Sequence, residues 1–162
     1  MKTIIVYYSL SGNTDWAAKQ IASRLGADLL RLEPVKAYPS KGFRKFFRGG
    51  RGAVMAETPA LQPYAFDEKR YDLVVLGFPV WAGSVTPPIR SFVQAHDLSG
   101  KRLGFFVCQS GAGAEKAFSK LRACPGVGAP TATMVLIDPK DRPSQENEGR
   151  IDDFCRRLQQ ED

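Results

Sequence analysis

The chain has 162 residues and carries 23 Lys and Arg against 17 Asp and Glu, for a net charge of +6 and a pI near 9.4. That length suits one domain and can bury a core without disulfides or metals, and no apolar run reaches the ~20 residues of a bilayer span. With 43% hydrophobic and 25% charged residues, disordered and membrane classes are excluded, so a single cytoplasmic domain over 1–162 is expected.

The elements follow in chain order. Thr3-Ile4-Ile5-Val6-Tyr7 opens the chain as an apolar run, placed at 3–8, and reaches polar residues by Ser9, too early for a secretory signal. Ala18, Ile21, Ala22 and Leu25 then fall at i, i+3, i+4 and i+7, and Gly26 supplies a stop. A second strand is placed at 28–33, more polar and so an outer one. Residues 34–66 are irregular. Leu73-Val74-Val75-Leu76-Gly77 is a third strand, and Ile89, Phe92 and Val93 form a helical stripe after Pro87-Pro88. A fourth strand at 103–108 precedes the stripe Ala114, Ala117, Phe118, Leu121. A fifth at 133–137 precedes a polar stretch at 138–149 and the stripe Ile151, Phe154, Cys155, Leu158.

The strands are near-continuous in hydrophobicity, as for parallel strands covered on both faces. Their alternation with helices predicts an α/β doubly wound fold of three layers. Right-handed crossovers put helices on both faces. The expected order of the five-stranded parallel sheet is 2-1-3-4-5.

In such a sheet, ligands bind beyond the carboxyl ends of the strands, at the switch between strands one and three. Three loops qualify: Ser9-Leu10-Ser11-Gly12-Asn13-Thr14, the stretch Phe78-Pro79-Val80-Trp81-Ala82-Gly83-Ser84-Val85-Thr86, and Gln109-Ser110-Gly111-Ala112-Gly113. All are rich in small or hydroxyl residues. The first opens a helix, whose free amides and dipole favour an anion. Its hydroxyls and Gly12 suit a phosphate held with no side-chain cation, although the same residues also make an ordinary capping loop. Trp81 lies off every amphipathic stripe. It can stack on a planar heterocycle or fill a core gap. Phosphate at one strand end and an aromatic platform at the next describe a mononucleotide site, and flavin mononucleotide (FMN) best.

Competing chemistries lack their residues. A P-loop needs a Lys after its glycine. A cysteine phosphatase needs Cys in the first loop. A phospho-acceptor domain needs carboxylates where Tyr8-Ser9 and Gly77-Phe78 stand, and Asp72 lies at the wrong end of its strand. No GxGxxG follows the first strand. The cysteines Cys108, Cys124 and Cys155 are odd in number and far apart, with no disulfide or metal spacing. Cys108 reads as a small buried hydrophobe, and His96 as a partly exposed residue near a helix end.

"YYSLSGNT" resembles the phosphate loop of flavodoxin-like proteins. "YDLVVLGFPVWAGSVTPPIRSFV" resembles a branch of that family with a Gly-x-Pro-x-Trp-Ala-Gly loop, and "LSGKRLGFFVCQSG" resembles the fourth strand and third flavin loop. The resemblance runs from Lys2 to about Leu158. It implies FMN as cofactor, with Ser9, Ser11, Gly12, Asn13 and Thr14 on the phosphate, within a loop that includes Leu10. Pro79, Val80, Trp81, Ala82 and Gly83 would flank the isoalloxazine, and Ser110, Gly111 and Gly113 would close its other side. No metal and no catalytic side chain are implied. The positive charge differs from the acidic electron carriers of the family.

The basic stretch "KGFRKFFRGGRG" at 41–52 places Phe43, Phe46 and Phe47 at i, i+3 and i+4, which suits a short amphipathic helix ended by Gly49-Gly50. Its cations could form a rim for an anionic ligand. No nucleic-acid-reading module accompanies it. The expected activity is an FMN-dependent oxidoreductase passing electrons from a reduced donor such as NAD(P)H to a quinone or other small acceptor. The alternative is a carrier between redox protein partners. Oligomeric state is left open.

Overall fold

The computed structural model describes residues 1–39 and 57–160. The basic stretch 41–52 lies outside them. Five strands form one parallel sheet: β1 (Thr3–Tyr7), β2 (Asp28–Arg31), β3 (Leu73–Pro79), β4 (Arg102–Gln109) and β5 (Ala132–Ile137). Their order is β2-β1-β3-β4-β5, as the alternation of elements predicts. Among the described residues, four α-helices accompany them: α1 (Asn13–Leu25), α2 (Pro87–Ala95), α3 (Ala114–Arg122) and α4 (Gln145–Gln159). The fold is therefore an α/β doubly wound one. No described helix is long and apolar enough to cross a membrane.

The period-2 alternation of each strand sorts its side chains to two faces. Ile4, Val6, Val74, Leu76, Phe105 and Val107 join Ile89 and Phe92 of α2 and Phe118 and Leu121 of α3. Ile5, Tyr7, Leu73, Val75 and Phe106 join Ile21 of α1 and Ile151, Phe154 and Leu158 of α4. Both faces are thus covered, which is why the central strands read as unbroken apolar runs. β2 is the exception. It is an outer strand with alternating partial burial, and it ends at Arg31, two residues before its predicted limit, because its only strand partner among the described residues, β1, ends at Tyr7 opposite Arg31.

Helix ends follow local chemistry. Gly12 and Gly113 start α1 and α3 in the left-handed region, and Gly26 ends α1 there. Pro87 and Pro88 occupy the first turn of α2, where their missing N–H groups are no loss. The Ser144 Oγ accepts from the Asn147 amide at 3.1 Å and caps α4. Asn147 is buried. Its Nδ2 donates to the Ile137 carbonyl at 3.0 Å, fastening the end of β5 to α4.

His96 caps α2 at its C-terminal end, as a residue near a helix end was expected to. Its Nε2 lies 2.7 Å from the Tyr64 hydroxyl, and Phe66 and Phe92 pack against the ring. This cluster, with the Pro34–Leu61 bridge, docks the described end of the irregular segment on the sheet.

Candidate functional site

The loops after β1, β3 and β4 meet at the carboxyl edge of the sheet around a cleft of about 480 Å³. Its walls include Leu10, Ser11 and Asn13 from the first loop. Pro79, Val80, Trp81 and Ala82 come from the second, and Ser110, Gly111 and Ala112 from the third. Nine of the fourteen predicted site residues therefore converge, joined by Ala112, although they lie up to about a hundred residues apart in sequence. A larger and more open depression of about 620 Å³ runs along the β5 edge and shares only Gln109 with this cleft.

The first loop divides its labour. The Ser9 Oγ accepts from the Asp15 amide at 3.1 Å, and the Ser9 carbonyl accepts from Arg31 at 3.2 Å. Thr14 is 1% exposed, and its side chain lies against the Cys108 sulfur. These two hydroxyls brace the loop from behind and do not line the cleft. Among the described residues, none accepts a hydrogen bond from the backbone amides of Ser11, Gly12, Asn13 or Thr14. Open amides at the start of a 13-residue helix are the donors an anion uses.

Asp15 stands in the first turn of α1, where a carboxylate also favours the helix. Burial pushes its carboxyl up. Hydrogen bonds from Lys19 and Tyr7 push it down and prevail, so it sits below the usual range.

The second loop is a tight hairpin. The Ser84 amide donates to the Trp81 carbonyl at 3.0 Å, and both central residues have positive φ, Ala82 at 49° and Gly83 at 65°. Gly83 suits that geometry, whereas Ala82 is strained by its Cβ. Strain of this kind at a cleft wall is a site feature. Ala82→Gly is expected to raise stability by about 0.5 kcal/mol after the entropy that glycine brings to the unfolded chain. Urea denaturation measures it, and a loss of stability would show that the Ala82 methyl makes a contact worth more than the strain.

Trp81 is both wall and core. It is 8% exposed, and its ring meets Tyr8 at 5.5 Å and Tyr38 at 5.4 Å, both edge-to-face. One side lines the cleft, and the rest fills the layer between sheet and loops, as the core-gap reading of this residue expects.

In the third loop, Ser110 and Gly111 line the cleft but Gly113 does not. A Cβ on Gly113 would lie 2.9 Å from the Gly83 Cα and 3.3 Å from Val80. Gly113 and Gly83 let the second and third loops close on each other. Both act on the shape of the cleft from outside it.

A fourth loop, after β5, was missed. Asp138 and Asp141 line the cleft. The Ser110 Oγ donates to Asp138 Oδ1 at 2.7 Å. Asn13 bridges the first and fourth loops: its Oδ1 accepts from the Lys140 amide at 2.9 Å, and its Nδ2 donates to Asp141 Oδ2 at 2.9 Å. The Lys140 side chain runs across Gly12, where a Cβ would come 2.9 Å from its Nζ. The first loop was expected to suit a phosphate with no side-chain cation, and Lys140 lies beside it. The signal was available, since the residues after β5 also follow the carboxyl end of a strand, the same criterion that selected the other three loops.

The Flavodoxin family profile matches residues 2–141. The chain belongs to the flavodoxin family. Among solved structures, a candidate flavoprotein from Bacteroides eggerthii DSM 20697 aligns with a TM-score of 0.73 at 20% identity, over 94% of this chain and 97% of that one. A flavoprotein from Lactobacillus acidophilus NCFM, solved in complex with FMN, aligns at 0.70 and 22% identity, over 86% and 95%. The apo form of an NADH:FMN oxidoreductase (EMOB) aligns at 0.57 and 11%, over 98% and 88%. At these identities the likeness is one of fold. A search of curated proteins finds no match.

Among the residues lining this flavodoxin-family cleft are one thiol, Cys108, and two carboxylates, Asp138 and Asp141. Burial pushes the Cys108 thiol up to about 12, with the Thr14 hydrogen bond opposing it. It stays protonated and unreactive at neutral pH.

Proposed function

We propose that this chain holds FMN in the cleft and acts as an oxidoreductase, passing electrons from a reduced donor, possibly NAD(P)H, to a quinone or other small acceptor. One observation carries the reading. Ser11 and Asn13, whose backbone amides are open at the start of α1, line the same cleft as the Trp81 hairpin and the small residues of the β4 loop.

The residues present fit the group. The cleft volume of about 480 Å³ falls within the roughly 300–1,000 Å³ of small-molecule sites. The α1 amides with Ser11 suit a phosphate, and the slot between Val80-Trp81-Ala82 and Ser110-Gly111 suits a flat ring. The bound flavin would supply the electron-transfer chemistry. The chain's own part is to fix the phosphate end and to shield one ring edge with Pro79 and Trp81. Exposed Ser110, Gly111 and Ala82 leave an approach open to a small reactant. The expectation that no side chain serves as acid, base or nucleophile continues as part of this proposal.

A carrier role is the second reading, favoured by the lack of a proton donor among the described cleft residues beyond an inert thiol and two carboxylates. The test begins with flavin titration. FMN should bind more tightly than riboflavin, and Ser11→Ala should lower FMN affinity by about tenfold, as for one hydrogen bond to a charged group, with little effect on riboflavin. Equal losses for both flavins would take Ser11 off the phosphate. FMN-loaded protein should then oxidise NADH steadily once a quinone is added. Binding without such turnover would favour the carrier, and no FMN binding would remove both readings.

A further inference from the structure

The backbone of Lys140 is held by the first residue of α1, through the 2.9 Å bond from its amide to Asn13 Oδ1. The turn that carries it is fixed at several points. The Asp138 amide donates to the Gln109 carbonyl at 3.2 Å, and the Arg142 amide to the Asp138 carbonyl at 2.7 Å. Asp138 itself adopts φ 38°. The Lys140 stem then folds back over the phosphate loop, its Cδ 3.4 Å and its Nζ 2.9 Å from where a Gly12 Cβ would stand. Gly12 is required there for its φ of 99°, and its missing Cβ leaves the space along which Lys140 lies.

The ammonium has no partner of its own among the described residues. The nearby carboxylates are engaged elsewhere. Asp141 Oδ2 accepts from Asn13 Nδ2, and Asp138 accepts from Ser110 and lies 3.8 Å from Arg142. An unpaired cation thus stands beside Gly12, in the stretch whose four backbone amides are open. Helix amides alone hold any anion through partial charges, whereas a full positive charge distinguishes a phosphate ester from its neutral counterpart.

We propose that Lys140 is the residue that selects phosphorylated flavin, pairing its ammonium with the phosphate that the α1 amides cradle. This rests on the FMN reading above. Asn13 is then a positioning residue, setting where the ammonium stands.

The experiment compares the FMN and riboflavin affinities of the full chain, by quenching of flavin fluorescence, for the native protein, Lys140→Ala and Lys140→Arg. The native preference for FMN should shrink by about tenfold in Lys140→Ala, with riboflavin affinity unchanged, and should persist in Lys140→Arg. Added salt should erode the native preference more than that of Lys140→Ala, since the lost interaction is the screened one. Lys140 is exposed and its bond to Asn13 uses the backbone, so neither variant disturbs the fold. An unchanged FMN preference in Lys140→Ala overturns this inference and leaves the FMN reading standing. Equal weakening of both flavins also overturns it, by making the role structural. Native protein that takes up neither flavin overturns both.

Discussion

Gly77→Ala is expected to cost roughly 3 kcal/mol or more, at the upper end of overpacking penalties, and to lower Tm by about 10 °C for a chain of this size. Gly77 sits in β3 opposite Phe106 of β4. A Cβ there would lie 2.1 Å from the Phe106 Cζ and 2.2 Å from its Cε1. Phe106 is fully buried against α1 and α4, so its ring has nowhere to swing. The strand would have to shift, and β3 lies between β1 and β4 at the sheet's centre. Because Gly77 is followed closely by Pro79 and Trp81, that shift would also move a cleft wall. A second substitution checks the cause. Phe106→Leu alone should cost a cavity penalty of about 1–2 kcal/mol, yet it should recover part of the loss when added to Gly77→Ala. The coupling is read from urea midpoints at constant slope. Additive losses would place the damage elsewhere than at the Phe106 ring.

The central glycine shows how far a sequence can be read. A glycine inside an apolar strand signals close approach by something, but the sequence does not name the ring that fills its place. The strands themselves were legible because burial on both faces leaves an uninterrupted apolar run, and the helices because each covers one face with a 3.6-residue stripe. From those two periods the switch point follows, and with it the loops after β1, β3 and β4. Less legible was the direction of each side chain within a loop. Ser9 and Thr14 have the same chemistry as Ser11, yet they turn inward, toward the Asp15 amide and the Cys108 sulfur. For Thr14 nothing local decides this; the sheet order does, which brings the end of β4 near the start of α1. Gly113 likewise looked like a wall residue and is a contact point between two loops. The Asp138–Asp141 turn was hidden for a different reason. As sequence it is a polar connection before the last helix, and only the parallel crossover returns it to Asn13, 127 positions away from Lys140.

Trp81→Ala is expected to weaken FMN binding and to destabilise the fold at once, because the ring serves both. The stability loss should reach roughly 3–5 kcal/mol, the range for deleting a buried tryptophan. It arises from an 8%-exposed side chain packed edge-on against Tyr8 and Tyr38. Those two rings are 6.1 Å apart and would collapse only partly into the gap. Trp81→Phe separates the two roles. A smaller ring keeps much of the edge-to-face packing, each such pair contributing about 0.5–1.5 kcal/mol beyond area, so thermal stability should be largely retained. Its reach into the cleft is shorter, so flavin affinity should fall by more than stability does. Thermal melts without flavin report the first role, and FMN titration the second. If Trp81→Phe binds FMN as tightly as the native chain while Trp81→Ala fails only by unfolding, the ring is core alone and the flavin rests on other walls. If Trp81→Ala melts like the native chain, its packing with Tyr8 and Tyr38 contributes little, and the hairpin at Ala82-Gly83 holds its shape through backbone geometry alone.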